Sequence, residues 1–320
     1  MTPSLFSVSY AGLWGQSRSS LKDFITKASD LGFSSVMLLG KRPHLSPLDW
    51  DASSVAQLGR GLHEAGVRCD VIAAYTNFAP IAAAEVPVIE LQIAGVEALA
   101  RIGAELGARI VRIFTAYEVP GHDLQASWQR VVDAVGETAD RVGRLGLTLA
   151  LQNHHDIALQ TEALIELLND VGRSNCKLGF DAWSPALRGE DLYAAARLAA
   201  PHTALTTNAD YIKVPRFRYH PQLVNYERQN DDWVRAVPFG SGFIDYEAFF
   251  KGLKDGGFEG PAVYEMCSPV RGGGAVENLD DMARAYLNWM QARDWLVRRE
   301  QGNQTRAFAP ETKGKPLPAS

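Results

Sequence analysis

Cysteine is scarce in this chain of 320 residues: there are three, Cys69, Cys176 and Cys267, an odd number with no CxxC spacing. That excludes a disulfide framework and a zinc ribbon, and makes the reducing cytoplasm the expected compartment. Long apolar runs are also missing, and the first residues have no basic stretch leading into one, so neither a membrane span nor a secretion signal is expected. There is no basic excess. The 32 Lys and Arg stand against 37 Asp and Glu, a formal charge of -5, which argues against nucleic acid as a partner. No low-complexity tract or short repeat interrupts the chain. What remains is an ordinary globular composition, 46% hydrophobic with a mean hydropathy of -0.13, enough for one large core.

Apolar runs alternate with amphipathic stretches along most of the chain. Strands are predicted over 5–10, 33–39, 68–75, 108–116, 147–152, 177–180, 204–214 and 262–266. Helices are predicted over 20–31, 55–65, 89–106, 124–145, 161–171, 191–199, 246–253 and 279–298, several closing on glycine. Eight βα units point to an α/β fold, a single-domain (β/α)8 TIM barrel over residues 1–300, rather than an open doubly wound sheet. A long loop, 215–245, follows the seventh strand, and 301–320 reads as a flexible or partner-ordered tail.

The apolar run 147–151 ends abruptly in Gln152-Asn153-His154-His155-Asp156. Three other runs end in polar groups: the sixth strand at Asp181, the seventh at Asn208, the eighth at Glu265. Polar residues gathered at strand ends mark the mouth of a parallel barrel. Alternation along a strand predicts that one of His154 and His155 faces the mouth and the other a loop. A lone strand-end carboxylate is more often a cap or an ion-pair partner, but several at neighbouring staves suit a hard or borderline cation such as Mn²⁺, Mg²⁺ or Zn²⁺. Metal ligands are expected at Asp181 and Glu265, with Gln152 and Asn208 as neutral metal ligands or orienters, and acid/base chemistry at His155 or His154. Substrate contacts are expected from His44, Asn77, Glu118, Lys213 and Arg271, with Tyr75 and Tyr117 as further lining.

On these residues the chain resembles the xylose isomerase-like TIM barrels, the sugar phosphate isomerase and epimerase group, over roughly residues 5–290. The carrying matches are Asn153-His154, Asp181, Glu265 and the segment Val237-Pro238-Phe239-Gly240-Ser241-Gly242-Phe243-Ile244-Asp245. Two departures stand out. Gln152 occupies the place of a metal-binding Glu, and Tyr211-Ile212-Lys213-Val214 that of a His-x-Lys-Asp. A glutamine cannot take up a proton, which disfavours two-carboxylate epimerase chemistry. Within the family, Gln152 to Asp156 together with the loop 41–47 resembles the catalytic barrel subunit of C-glycoside deglycosidases. That resemblance implies a Mn²⁺-type metal, β-elimination on a 3-oxo-glycoside, a small β-rich second subunit and an oligomer. The alternatives are a sugar isomerase or ketose epimerase, and a non-catalytic sugar-binding barrel.

Overall fold

The computed structural model describes residues 1–79 and 85–296. The tail 301–320 and the last two positions of the helix expected over 279–298 lie outside them. Eight parallel strands close into a barrel: β1 (Thr2–Phe6), β2 (Ser35–Leu39), β3 (Arg68–Ala73), β4 (Ile110–Ile113), β5 (Thr148–Gln152), β6 (Cys176–Gly179), β7 (Thr203–Asn208) and, last in the chain, β12 (Pro261–Tyr264), which pairs with both β7 and β1. The other four strands form an arm. β8 (Asp210–Val214) pairs antiparallel with β11 (Trp233–Val237), and between them β9 (Phe217–His220) and β10 (Asn225–Arg228) make an exposed hairpin.

Around the barrel run α1 (Leu21–Leu31), α2 (Ala52–Glu64), α3 (Val88–Glu105), α4 (Leu124–Gly143), α5 (Thr161–Val171), α6 (Trp183–Arg188), α7 (Leu192–Ala199), α8 (Tyr246–Asp255) and α9 (Val276–Ala292). Several start where a short polar side chain accepts an orphan backbone N–H of the first turn, as Ser20, Asp51, Asp123, Asp191 and Asp245 do. No helix among the described residues is long and apolar enough to cross a membrane.

Strand alternation sorts the apolar residues into two cores. Phe6, Met37, Val71, Ile110, Ala150 and Val263 fill the lumen. Their neighbours Val36, Ile72, Val111, Leu149 and Ala262 point outward beneath the helices. The lumen is therefore a packed plug, and only the side chains above it, at the carboxyl ends of the strands, are free for chemistry.

Three sequence expectations change. Residues 7–10 form a 3-10 turn rather than the end of the first strand. The run 204–214 is two strands broken at Ala209, of which only β7 belongs to the barrel. The long loop after it is the arm, ordered by backbone pairing. The break is held by Asp210, which is 1% exposed: its carboxylate accepts the N–H groups of Tyr211, Gly240 and Gly242 at 3.0, 2.9 and 2.7 Å. A Cβ at Gly242 would stand 2.0 Å from Asp210 Oδ1, so this glycine is required by close approach.

Candidate active site

A cavity of about 610 Å³ opens at the carboxyl ends of the strands. Its lining comes from most of the way round the barrel, with Phe6, Tyr75, Phe114, Gln152 and Glu265 among the residues at strand ends. Trp14, Tyr117, Trp183 and Tyr211 add aromatic walls, and Arg112 lies deep within.

Gln152 is the last residue of β5 and shares its inward parity with Ala150. Its side-chain Nε2 donates to Asp181 Oδ2 at 3.1 Å and to Thr207 Oγ1 at 2.9 Å. Its Oε1 is buried without a partner. Asp181 is 4% exposed, and its other oxygen accepts Ser184 N–H at 3.2 Å. Burial pushes the Asp181 carboxyl up to about 6 despite these donors. Asn153 faces the other way and clamps the backbone of Asp181, accepting its N–H at 2.8 Å and donating to its carbonyl at 2.9 Å.

Both histidines line the cavity, where alternation predicts only one. The strand has ended at Gln152, and His155 takes a φ of 79°, which turns the chain back on itself. The His155 ring stacks on Tyr117 at 3.9 Å between centroids and lies 4.4 Å from Phe114. His154 Nδ1 accepts the backbone N–H of His155 at 3.1 Å, so the neutral ring carries its proton on Nε2. Burial holds both imidazoles well below the usual histidine range, at about 4 for His154 and about 3 for His155, with Arg112 adding repulsion. The two rings are neutral at physiological pH.

Glu265 follows β12 and is half-buried in the cavity wall. Burial pushes its carboxyl up to about 7; the positive charge of Arg112 opposes that shift and the nearby Asp181 reinforces it. Arg112, in the middle of the apolar strand Ile110–Ile113, is 1% exposed. It donates from Nη1 to the Ala74 carbonyl at 3.1 Å, and its guanidinium lies 4.2 Å from the Phe114 ring centroid and 4.8 Å from that of Tyr75. Lys41 reaches over the outer part of the cavity, 3.9 Å from the Tyr75 ring.

Of the substrate contacts expected from sequence, the structure brings Asn77 to the cavity, along with Tyr75 and Tyr117. His44 is not there. It is 3% exposed, bonded to Ser7 Oγ and the Ser19 carbonyl at 3.1 Å each, and it packs on Phe24; from its loop it is Lys41 that enters. Glu118, Lys213 and Arg271 are exposed and outside the lining. Asn208 is buried one position out of register with the inward-facing Thr207. Its Nδ2 donates to the Thr206 and Val263 carbonyls and its Oδ1 accepts from Thr206 Oγ1.

This donor set does not fit the divalent metal that the resemblance implies. Gln152 turns N–H donors toward Asp181, both Asp181 oxygens already accept N–H groups, and Asn208 is committed to backbone on the outer face of the wall. Among the described residues no group of three or more His, Cys, Asp or Glu is arranged to hold a metal ion. Gln152 Oε1 and Glu265 remain, too few oxygen ligands for Mn²⁺ or Mg²⁺.

The closed barrel with its site at the carboxyl face places the chain in a defined class. It belongs to the xylose isomerase-like TIM barrel family, whose model matches residues 25–293. Among solved structures it is similar to the probable 3-DHS dehydratase AsbF of Bacillus anthracis, at 16% identity over 91% of this chain and 99% of that one, TM-score 0.68. It is also similar to D-psicose 3-epimerase of Clostridium cellulolyticum H10, at 15% identity over 91% and 99%, TM-score 0.70. A third is 3-keto-D-glucoside 4-epimerase YcjR of E. coli, at 14% identity over 91% and 99%, TM-score 0.68. At these identities the similarity speaks for the fold. No curated protein matches the chain.

Proposed function

We propose that this barrel is a sugar-modifying enzyme that removes a proton beside a carbonyl, and that its reaction is a lyase step on a 3-oxo-glycoside. The observation that carries this reading is Glu265: a carboxyl held near 7 inside an aromatic-walled cavity, with two neutral imidazoles in the same cavity. A carboxylate with a raised pKa is a stronger base than one in water and is still ionised in part at neutral pH. Solved neighbours named as a dehydratase, a ketose epimerase and a keto-glucoside epimerase are consistent with carbonyl-adjacent chemistry on this fold.

In this reading the Glu265 carboxylate takes the proton from the carbon between the carbonyl and the anomeric centre. The C–H electron pair forms a carbon–carbon double bond and the carbonyl oxygen gains a negative charge. When the carbonyl re-forms, the bond from the anomeric carbon to the aglycone breaks. The leaving group then takes up the proton that Glu265 has acquired, relayed through a neutral imidazole that accepts it on one ring nitrogen as it gives up the N–H proton of the other, for which His154 and His155 are the candidates. The products are an unsaturated 3-oxo sugar and the protonated aglycone. Gln152 Oε1, buried and unpaired, is placed to accept from a substrate hydroxyl.

The test is incubation of the purified protein with 3-oxo-C- and 3-oxo-O-glycosides in D₂O. Aglycone release is the expected result. Deuterium entering recovered substrate with an inverted or moved centre, and no release, would assign an epimerase or isomerase instead. Tight binding with neither would leave a sugar-binding barrel.

A further inference from the structure

Arg112 is the feature that neither the sequence pattern nor the family resemblance explains. Its strand reads Ile110-Val111-Arg112-Ile113, and parity sends the charged side chain into the lumen directly above the apolar plug. No carboxylate among the described residues lies within 4 Å of its guanidinium, and its Nε is buried with no hydrogen-bond partner. Removing a cation from water without a direct counter-ion costs several kcal/mol. A buried cation that lines a cavity without a direct counter-ion is therefore arranged to meet the charge of something that enters. The field of this one group is felt by Lys41, His154, His155 and Glu265 in the cavity lining and by Asp181 behind Gln152.

The metal-binding positions of this chain are altered in the matching sense. A glutamine donor stands where a carboxylate ligand is expected, and Tyr211 stands near the mouth in the segment that departs from the His-x-Lys-Asp pattern. A site that already holds a fixed cation has less use for ligands to a second one, and a divalent ion placed beside Arg112 would be repelled. We infer that Arg112 takes the place of the divalent metal in this barrel, holding the substrate's carbonyl oxygen and its developing negative charge. Fixed donors aimed at such an oxygen in a desolvated site are among the strongest catalytic devices known. This inference rests on the carbonyl reading of the site, and its metal arm can be tested without a substrate.

The experiment has two readouts. Chelator-treated wild-type protein is titrated with MnCl₂ alone, following the electron paramagnetic resonance of free Mn²⁺ and the melting temperature. The expected result is no bound Mn²⁺ at equimolar metal and no thermal shift. Near-stoichiometric binding that is lost in Asp181→Asn would overturn the inference, whatever the substrate proves to be. In the second readout, proton exchange on a 3-oxo-glycoside is compared for wild type, Arg112→Lys and Arg112→Met. The Met variant should lose exchange by about 10²–10³-fold while still melting cooperatively, the relief of a buried charge offsetting the void and the stranded Ala74 carbonyl. The Lys variant should retain part of the rate. Equal rates in wild type and the folded Met variant would also overturn the inference. Should wild type exchange nothing, the carbonyl reading fails, and Mn²⁺ binding alone decides between a metal and Arg112 as the site's cation.

Discussion

Gln152 Nε2 and Asp181 Oδ2 stand 3.1 Å apart, an amide donor against a carboxylate at the ends of neighbouring strands. This bond sets the character of the cavity floor. It gives Asp181 a proton-bearing neighbour where a metal site would need a second negative ligand.

Replacing the donor tests that relationship. Gln152→Glu places two carboxylates side by side and removes the N–H donated to Asp181, while the Thr207 hydroxyl can turn to donate to the new carboxylate. The variant is expected to be less stable in chelator by about 2–3 kcal/mol, the range for a lost hydrogen bond to a charged group plus repulsion. Mn²⁺ should recover part of the loss. Melting curves with and without MnCl₂ check this, and an unchanged melting temperature in chelator would contradict the role given to the bond.

Glu265 has a pH signature of its own. Its carboxyl rises from 4.5 to about 7 in the folded chain, so the folded state holds the proton more tightly than the unfolded state does. The group's stabilising contribution is full below about 4.5 and is lost as pH rises through 7. Glu265→Gln lacks this loss. The variant's stability advantage over wild type should therefore widen between pH 5 and pH 8, by up to about 3 kcal/mol at 1.4 kcal/mol per pKa unit. Denaturant unfolding at the two pH values measures it, and a gap that narrows would refute the assignment.

The imidazoles behave in the opposite sense. Their folded pKa values lie below 6.5, so they stabilise the fold while neutral and that contribution is lost as pH falls from 6.5 toward 4. Above pH 5 neither ring changes charge. The pH profile of turnover should then show one rising limb near 7, set by Glu265. That limb should persist in His154→Gln and His155→Asn while the rate drops by about 10²-fold or more in whichever variant has lost the proton donor. Asparagine is chosen at 155 because it tolerates the left-handed backbone found there.

The join between barrel and arm offers a structural prediction. Gly242→Ala forces a methyl group against the Asp210 carboxylate, and Asp210→Ala strands three backbone N–H groups. Each should cost at least about 2 kcal/mol. The double variant should cost less than the sum, because both break the same cluster. Full additivity in a double-mutant cycle would show that the two sites act separately.

The barrel was legible in the sequence because its strands are apolar runs that stop at polar residues, and its helices close on glycine. Gln152, Glu265 and both histidines were legible for the same reason, as polar groups at strand ends. Asn208 misled because 204–214 reads as one strand, whereas a break at Ala209 and inward parity at Thr207 turn the asparagine to the outer layer. Arg112 was missed because a single arginine within Ile-Val-Arg-Ile reads like a side chain that escapes to water from a strand edge. The usable signal was its parity with Ile110, which assigns both to the lumen. His44 and Lys41 share a loop, and which of them enters depends on contacts with Ser7 and Ser19 that no local pattern reveals.

The apolar plug beneath Arg112 has a consequence for the order of events. Among the described residues it closes the barrel beneath the cavity, so what forms inside departs through the mouth at the carboxyl ends of the strands, past the aromatic rim. In the proposed elimination, with the carbonyl held at Arg112, the outer fragment is expected to leave first and the oxidised sugar last. The sugar should then compete directly with substrate, while the first fragment to leave should not.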